Sequence, residues 1–240
     1  MKLQDMQNGK AAGFAFSAVR PEKLGATEYT LVTVVTDKTG SVSAFAGQLL
    51  EMKRAVVEAC RKSPRAAYLL LRQLEFNNSV DEVHGFLELK DIDAASYVEP
   101  ATGGTTALFD ATMAAVAAVA AYGKTLTDAD FGVNAIVFVI TDGDDNASKA
   151  YGPREIAREI AEAVRGEAVE SIRIVLIGVN AAQYRKELES FAAQAGIDQF
   201  VEVADATPGK LAKLAQFVSR SISSQSQSLG TGGPSVALTF

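Results

Sequence analysis

A chain of 240 residues can form one large domain or two small ones, and at that size it buries roughly 70–75% of its unfolded surface. A composition of 48% hydrophobic and 22% charged residues is that of an ordinary globular protein and excludes a wholly disordered chain. The formal charge of −6, with no Lys and Arg cluster interleaved with aromatics, speaks against nucleic-acid binding.

The start Met1-Lys2-Leu3-Gln4-Asp5 lacks the apolar core of a signal peptide, and no apolar run reaches the ~18 residues needed to cross a bilayer. The longest run, residues 107–122, is interrupted by Asp110. The single cysteine, Cys60, has no internal disulfide partner and falls on an apolar helix stripe, so it is expected to pack. A reducing, cytoplasmic setting without membrane contact is the expectation.

In chain order, residues 1–28 are polar and contain Gly, with an alternating patch at 14–19 that predicts an arm adding one edge strand. Residues 31–36 read as a buried strand. Phe45, Leu49, Met52, Val56 and Cys60 then recur every three to four positions, a helix that Pro64 ends. Residues 66–76 and 80–87 alternate on either side of Asn77-Asn78-Ser79, predicting an antiparallel hairpin. Residues 88–104 show no period and finish in Gly103-Gly104-Thr105-Thr106 before an Ala-rich helix over 107–121.

Residues 133–141 form a continuous apolar β-branched run, as expected of a strand covered on both faces. A helix from Pro153 carries Ile156, Ile160 and Val164 inward; a strand follows over 172–179, then a helix with Tyr184, Leu188 and Phe191 that Gly196 terminates. A short strand over 200–203 precedes a helix from Thr207-Pro208 bearing Leu211, Leu214, Val218 and Ile222. Residues 223–240 read as a flexible Ser/Gln/Gly tail whose apolar end can dock. This order predicts a Rossmann-like, doubly wound α/β domain over 29–222, with a mostly parallel sheet, one antiparallel edge strand and helices on both faces.

In such a sheet ligands bind outside the carboxyl ends of the strands. Three polar segments fall there: Asp37-Lys38-Thr39-Gly40-Ser41, Gly103-Gly104-Thr105-Thr106 and Thr141-Asp142-Gly143. They offer two carboxylates and several hydroxyls, a donor set suited to Mg²⁺ or a similar hard cation, which takes few charges and keeps room for water.

These segments resemble the von Willebrand factor A domain family, whose metal-ion-dependent adhesion site (MIDAS) combines D-x-[ST]-x-S, a Thr in a Gly-rich loop and an Asp in a T-D-G turn. The resemblance covers residues 29–222. It implies direct or water-mediated metal ligation by Asp37, Thr39, Ser41, Thr105 and Asp142, with Thr39 standing where Ser is commoner. It further implies a non-enzymatic interaction module: Mg²⁺, Mn²⁺ or Ca²⁺ offers an open position to an acidic residue of a partner protein, so that the expected partner is an acidic segment of another protein. Intracellular relatives work beside AAA+ ATPases or in stress and defence systems, which makes such an ATPase a candidate partner.

The alternative is an enzyme. Asp37-Lys38-Thr39-Gly40-Ser41 also resembles the phosphorylated D-K-T-G-T motif of P-type ATPases in the haloacid-dehalogenase superfamily, which implies a Mg²⁺-dependent phosphatase with Asp37 as nucleophile. Against it, Thr39 stands where a general-acid Asp is usual, and the Gly-Gly-Thr-Thr loop is left unexplained. Asp110 suits the first turn of its helix through the macrodipole, Asp144 and Asp145 read as a solvated acidic turn, and His84 has no companion nucleophile.

Overall fold

A computed structural model describes residues 5–232 and 238–240. Its eight strands are β1 (Met6–Ala11), β2 (Phe14–Val19), β3 (Glu28–Asp37), β4 (Leu69–Phe76), β5 (Val80–Glu88), β6 (Gly132–Thr141), β7 (Ile172–Val179) and β8 (Gln199–Val203). The helices are α1 (Ala46–Arg61), α2 (Leu108–Thr127), α3 (Pro153–Arg165), α4 (Arg185–Ala195) and α5 (Pro208–Thr231). One sheet of order β1-β2-β5-β4-β3-β6-β7-β8 contains them all; β4–β5 and β1–β2 are antiparallel and the other pairings parallel.

The period of two along each central strand explains the layers. Leu31 and Val35 of β3, and Val137 and Val139 of β6, face α2, α3 and α4. Val32 and Val34, and Ile136 and Phe138, face α1 and α5 instead. Strands apolar at every position are thus covered on both sides. The chain leaves β3 through α1 to β4 on one flank and reaches β6 through α2 on the other, so the order of the sheet reverses at β3/β6. That switch point is where a ligand crevice opens.

Several expectations need correction. The arm contributes two strands, not one: Ala12 and Gly13, both at positive φ, turn β1 back on β2, which carries the sheet beyond β5. A two-residue loop with both residues left-handed matches the twist of the strands it joins. Val164 is 40% exposed, and Ala163 takes the inward place beside Ile156. Tyr184 precedes α4 in a 3₁₀ turn and is 37% exposed.

The stretch read as the start of a flexible tail continues α5 to Thr231. Gln225 and Ser226 go inward because most of their polar groups find partners, Gln225 Oε1 excepted. The Gln225 amide donates to Ala135 O and Ser171 Oγ (both 3.1 Å), Asn134 Nδ2 donates to Gln225 O (2.7 Å), and Arg65 donates to Ser226 Oγ (3.1 Å). Buried polar groups are tolerated when hydrogen-bonded. Val236 and Ala237 of the apolar end lie outside the described residues. Leu238 packs on the α5 face, where Gln199 Nε2 donates to its carbonyl (3.0 Å), and Phe240 meets Phe217 edge-on at 5.7 Å.

Candidate metal centre

The register that pairs Thr36 with Ile140 sets the next two residues, Asp37 and Thr141, side by side at the carboxyl ends of β3 and β6. Asp37 is 1% exposed. Thr39 N donates to its Oδ1 (2.7 Å) and Thr141 Oγ1 to its Oδ2 (2.8 Å), so both oxygens are held. A chain of hydroxyls leads outward: Thr39 Oγ1 lies 2.9 Å from Ser41 Oγ, and Ser41 Oγ donates to Asp142 Oδ1 (2.8 Å). Since the Ser41 proton goes to the carboxylate, Thr39 is the donor of the first link.

The electrostatics are those of negative charge without a counter-charge. Burial pushes the Asp37 carboxyl up to about 6 against the pull of its Thr39 and Thr141 hydrogen bonds, and the Asp142 charge adds to the rise. Burial also raises Asp142, partly offset by Ser41. Neither carboxylate pairs with a Lys, Arg or His among the described residues. Lys38, next to Asp37, is turned to Asp81 at 2.7 Å.

The Gly-rich loop is fastened from two sides. Gly103 N donates to Lys38 O (3.0 Å), and Asn77 Nδ2 donates to Gly103 O (2.9 Å). Gly104 has φ +83°, where a side chain is strained, and a Cβ there would lie 2.3 Å from Asn78 Oδ1 and push that side chain away. The Asn77-Asn78-Ser79 turn, read from sequence as plain hairpin chemistry, is therefore the support of this loop. Thr105 is exposed on the rim and is not hydrogen-bonded to the Asp37–Asp142 chain among the described residues, whereas Thr106 is buried and donates its N–H to Asn146 Oδ1 (2.8 Å).

Asp110 does not cap its own helix. It accepts the N–H groups of Lys149, Ala150 and Tyr151 at 2.9–3.2 Å and so staples the loop after Asp142 to α2. Asp145 accepts from Phe109 N (3.3 Å) and Ser148 Oγ (2.5 Å) in the same junction. Sequence reasoning missed these supports, together with Thr141; the T-D-G turn was the available signal for the last. His84 sits away from the site, between Gly85 O (2.8 Å) and Tyr97 Oη (2.6 Å), and burial lowers its pKa.

These loops enclose a cleft of about 510 Å³ lined by residues 39–41, 104–106 and 142–146, with Asn180, Gln183 and Tyr184 beyond β7 as its far wall. Thr39, Ser41, Thr105 and Asp142 line it, and Asp37 lies beneath its floor. Among the described residues no group of three or more His, Cys, Asp or Glu is clustered for a metal. The donors here are two carboxylates and hydroxyls, which fit a hard divalent cation that retains water. No helix among the described residues is long and apolar enough to cross a membrane.

The family model of the von Willebrand factor type A domain matches residues 32–219. Similar solved structures include proximal thread matrix protein 1 from the mussel byssus (20% identity, TM-score 0.52, covering 80% of this chain and 45% of that one). The PilB minor pilin from Streptococcus sanguinis is similar at 14% identity and TM-score 0.55, covering 90% of this chain and 66% of that one. The pilus adhesin SpaC from Lactobacillus rhamnosus GG follows at 10% identity and TM-score 0.58, covering 88% and 32%. A further structure of the mussel protein has a zinc-occupied MIDAS motif (19% identity, TM-score 0.51, covering 82% and 46%). At these identities the likeness is one of fold, and this chain spans less than half the length of the mussel protein. No curated protein sequence matches the chain.

Proposed function

The chain belongs to the von Willebrand factor type A domain family, and from that premise we propose that it is a non-enzymatic interaction module working through a divalent cation at the three-loop site. Asp37, Thr39, Ser41, Thr105 and Asp142 would hold the ion, directly or through water. The observation that carries this reading is the pair of carboxylates Asp37 and Asp142, linked through Thr39, whose N–H bonds Asp37, and the Thr39 and Ser41 hydroxyls that lead to Asp142, both raised by burial with no cationic side chain against either. Mg²⁺ is the ion of choice, ahead of Mn²⁺ and Ca²⁺, because two carboxylates plus neutral oxygens is the set it accepts.

When bound, such an ion supplies positive charge and an exchangeable coordination position for a carboxylate of a partner protein. The chain's own residues do the rest. Thr141 and the Thr39 N–H fix the Asp37 carboxylate, while Ser41 aims Asp142 across the cleft. Asp110 and Asn146 hold the second and third loops against each other. An AAA+ ATPase as the partner is supported by the family resemblance alone. For a reducing, cytoplasmic setting the support is the single Cys60, free and buried.

The phosphatase reading draws no support from the geometry, because Asp37 lies under the cleft with a hydrogen bond to each oxygen rather than exposed for attack. Titration calorimetry with MgCl₂ tests the metal: we expect saturable binding that Asp37→Ala or Asp142→Ala abolishes and Ser41→Ala weakens about tenfold. Partner capture with and without chelator tests the bridge. Equal retention in both conditions sinks it, and Mg²⁺-dependent phosphate release from an aryl phosphate, lost in Asp37→Asn, would establish the enzyme instead.

A further inference from the structure

The charge around the cleft says more about the partner than that it carries an acid. Two ligating carboxylates, Asp37 and Asp142, neutralise a divalent ion. The remaining charged residues lining the cleft are Asp144 and Asp145, both half-buried, and Asp144 also lies in the field of Glu187. Two cationic neighbours are committed elsewhere, Lys38 to Asp81 (2.7 Å) and Arg185 to Glu189 (2.8 Å) and Glu202 (2.9 Å), and neither of the exposed lysines nearby, Lys149 and Lys186, lines the cleft. The charged side chains that line the cleft beyond the two ligands are thus all acidic, and a run of acids entering it would meet Asp144 and Asp145 where a single carboxylate meets chiefly the ion.

The far wall supplies a second, apolar feature. Tyr184, 37% exposed, lines the cleft, and its ring lies 3.8 Å from where a Gly143 Cβ would be, so it packs on the turn that carries Asp142 and Asp144. Gln183 and Asn180, both exposed, continue that wall with neutral hydrogen-bonding groups. An aromatic ring beside carboxylates is a seat for a guanidinium or ammonium group, which stacks on the ring and pairs with the acid.

Resting on the metal-bridged reading above, we propose that the partner presents one isolated carboxylate within a basic segment, and that an Arg or Lys next to that carboxylate seats between Tyr184 and Asp144. The recognised class is a basic peptide with a single acid, not an acidic stretch. Asp144 and Tyr184 set this specificity, while the loops beneath them hold the ion.

The test uses three nine-residue fluorescent peptides with a central Asp flanked by Arg, by Ser or by Glu, titrated with the full chain by anisotropy up to 1 mM in MgCl₂ and in chelator. We expect the Arg-flanked peptide to bind about tenfold more tightly than the Ser-flanked one and the Glu-flanked one to bind worst, all three weakened by chelator. Asp144→Asn and Tyr184→Ala should each shrink the Arg preference to about threefold while the Ser-flanked peptide changes little. Chelator-sensitive binding with equal or reversed order, or no binding of the Arg peptide at 1 mM, overturns this proposal. Chelator-insensitive binding of every peptide overturns the metal bridge itself, so the two failures are distinct.

Discussion

Asp37 is held in a state that costs stability when no cation is present. Its carboxyl, raised by burial to about 6 from 3.8, holds its proton more tightly folded than unfolded. The native chain therefore binds more protons than the unfolded one between those values. Stability is fully present below the unfolded value and is lost as pH rises through about 6. The rise from 3.8 to about 6 corresponds to about 3 kcal/mol at neutral pH. Asn at this position keeps an acceptor for Thr39 N and offers a donor to Thr141 Oγ1, which can turn its proton to Gly143 O at 3.1 Å. In chelator, Asp37→Asn is expected to be more stable than the parent by about 1–3 kcal/mol at pH 8, with the gain fading toward pH 4.5, as read from urea midpoints at both pH values. MgCl₂ should stabilise the parent and leave the variant unchanged. An unchanged or lower midpoint for the variant at pH 8 would show that the site tolerates the bare charge.

Among the elements, the junction between α2 and the loop after β6 positions Asp142, and Asp110 is its fastening. A carboxylate accepting three backbone N–H groups makes charge-assisted bonds that an alanine cannot replace. Asp110→Ala should cost about 2 kcal/mol, speed amide exchange at residues 149–151 and weaken Mg²⁺ binding several-fold without removing a ligand. Unchanged exchange there would relocate the restraint to Asn146. The sequence showed Asp110 in a helix first turn, where the macrodipole is the natural reading, and nothing local reveals that its acceptors point at N–H groups 39–41 positions away. By contrast, the parallel strands and the helices between them were legible because β-branched runs and 3.6-residue periods survive in one dimension. That Asp37, Thr39, Ser41 and Asp142 come together was legible because they follow strands that must lie side by side. Thr105 and Thr106 are equivalent as sequence, and only folding separates an exposed hydroxyl from a buried one. Val164 was misplaced because one residue of drift around a helix turns an inward position outward, and Tyr184 because the helix begins one residue later, at Arg185.

For the whole molecule, the decisive element is α5, whose two halves bind the sheet by different physics. Leu211, Leu214, Val218 and Ile222 bury an apolar stripe against the face that α1 shares, a pattern that the sequence displays. Beyond Ile222 the composition turns to Ser and Gln and resembles a linker, yet Gln225 and Ser226 are fully buried. There the helix is held by hydrogen bonds to Asn134, Ala135, Ser171 and Arg65, contacts that composition cannot announce because each partner lies far away in the chain. Ending the chain after Ser223 removes these bonds and opens Asn134, which Thr30 also contacts at 2.7 Å, to water. Water replaces part of what is lost, so the expected cost is about 2–4 kcal/mol rather than the sum of the bonds. At 2–4 °C per kcal/mol for a domain of this size, the melting temperature should fall by roughly 5–15 °C. Ending the chain after Gly232 keeps α5 whole and forfeits the Leu238 and Phe240 contacts, with Phe240 already 43% exposed, so a change within about 3 °C is expected. Calorimetric scans of the two truncations separate the cases: equal melting temperatures would mean that residues 224–231 add nothing to the fold, and a large loss in both would move the anchor to the residues after Gly232.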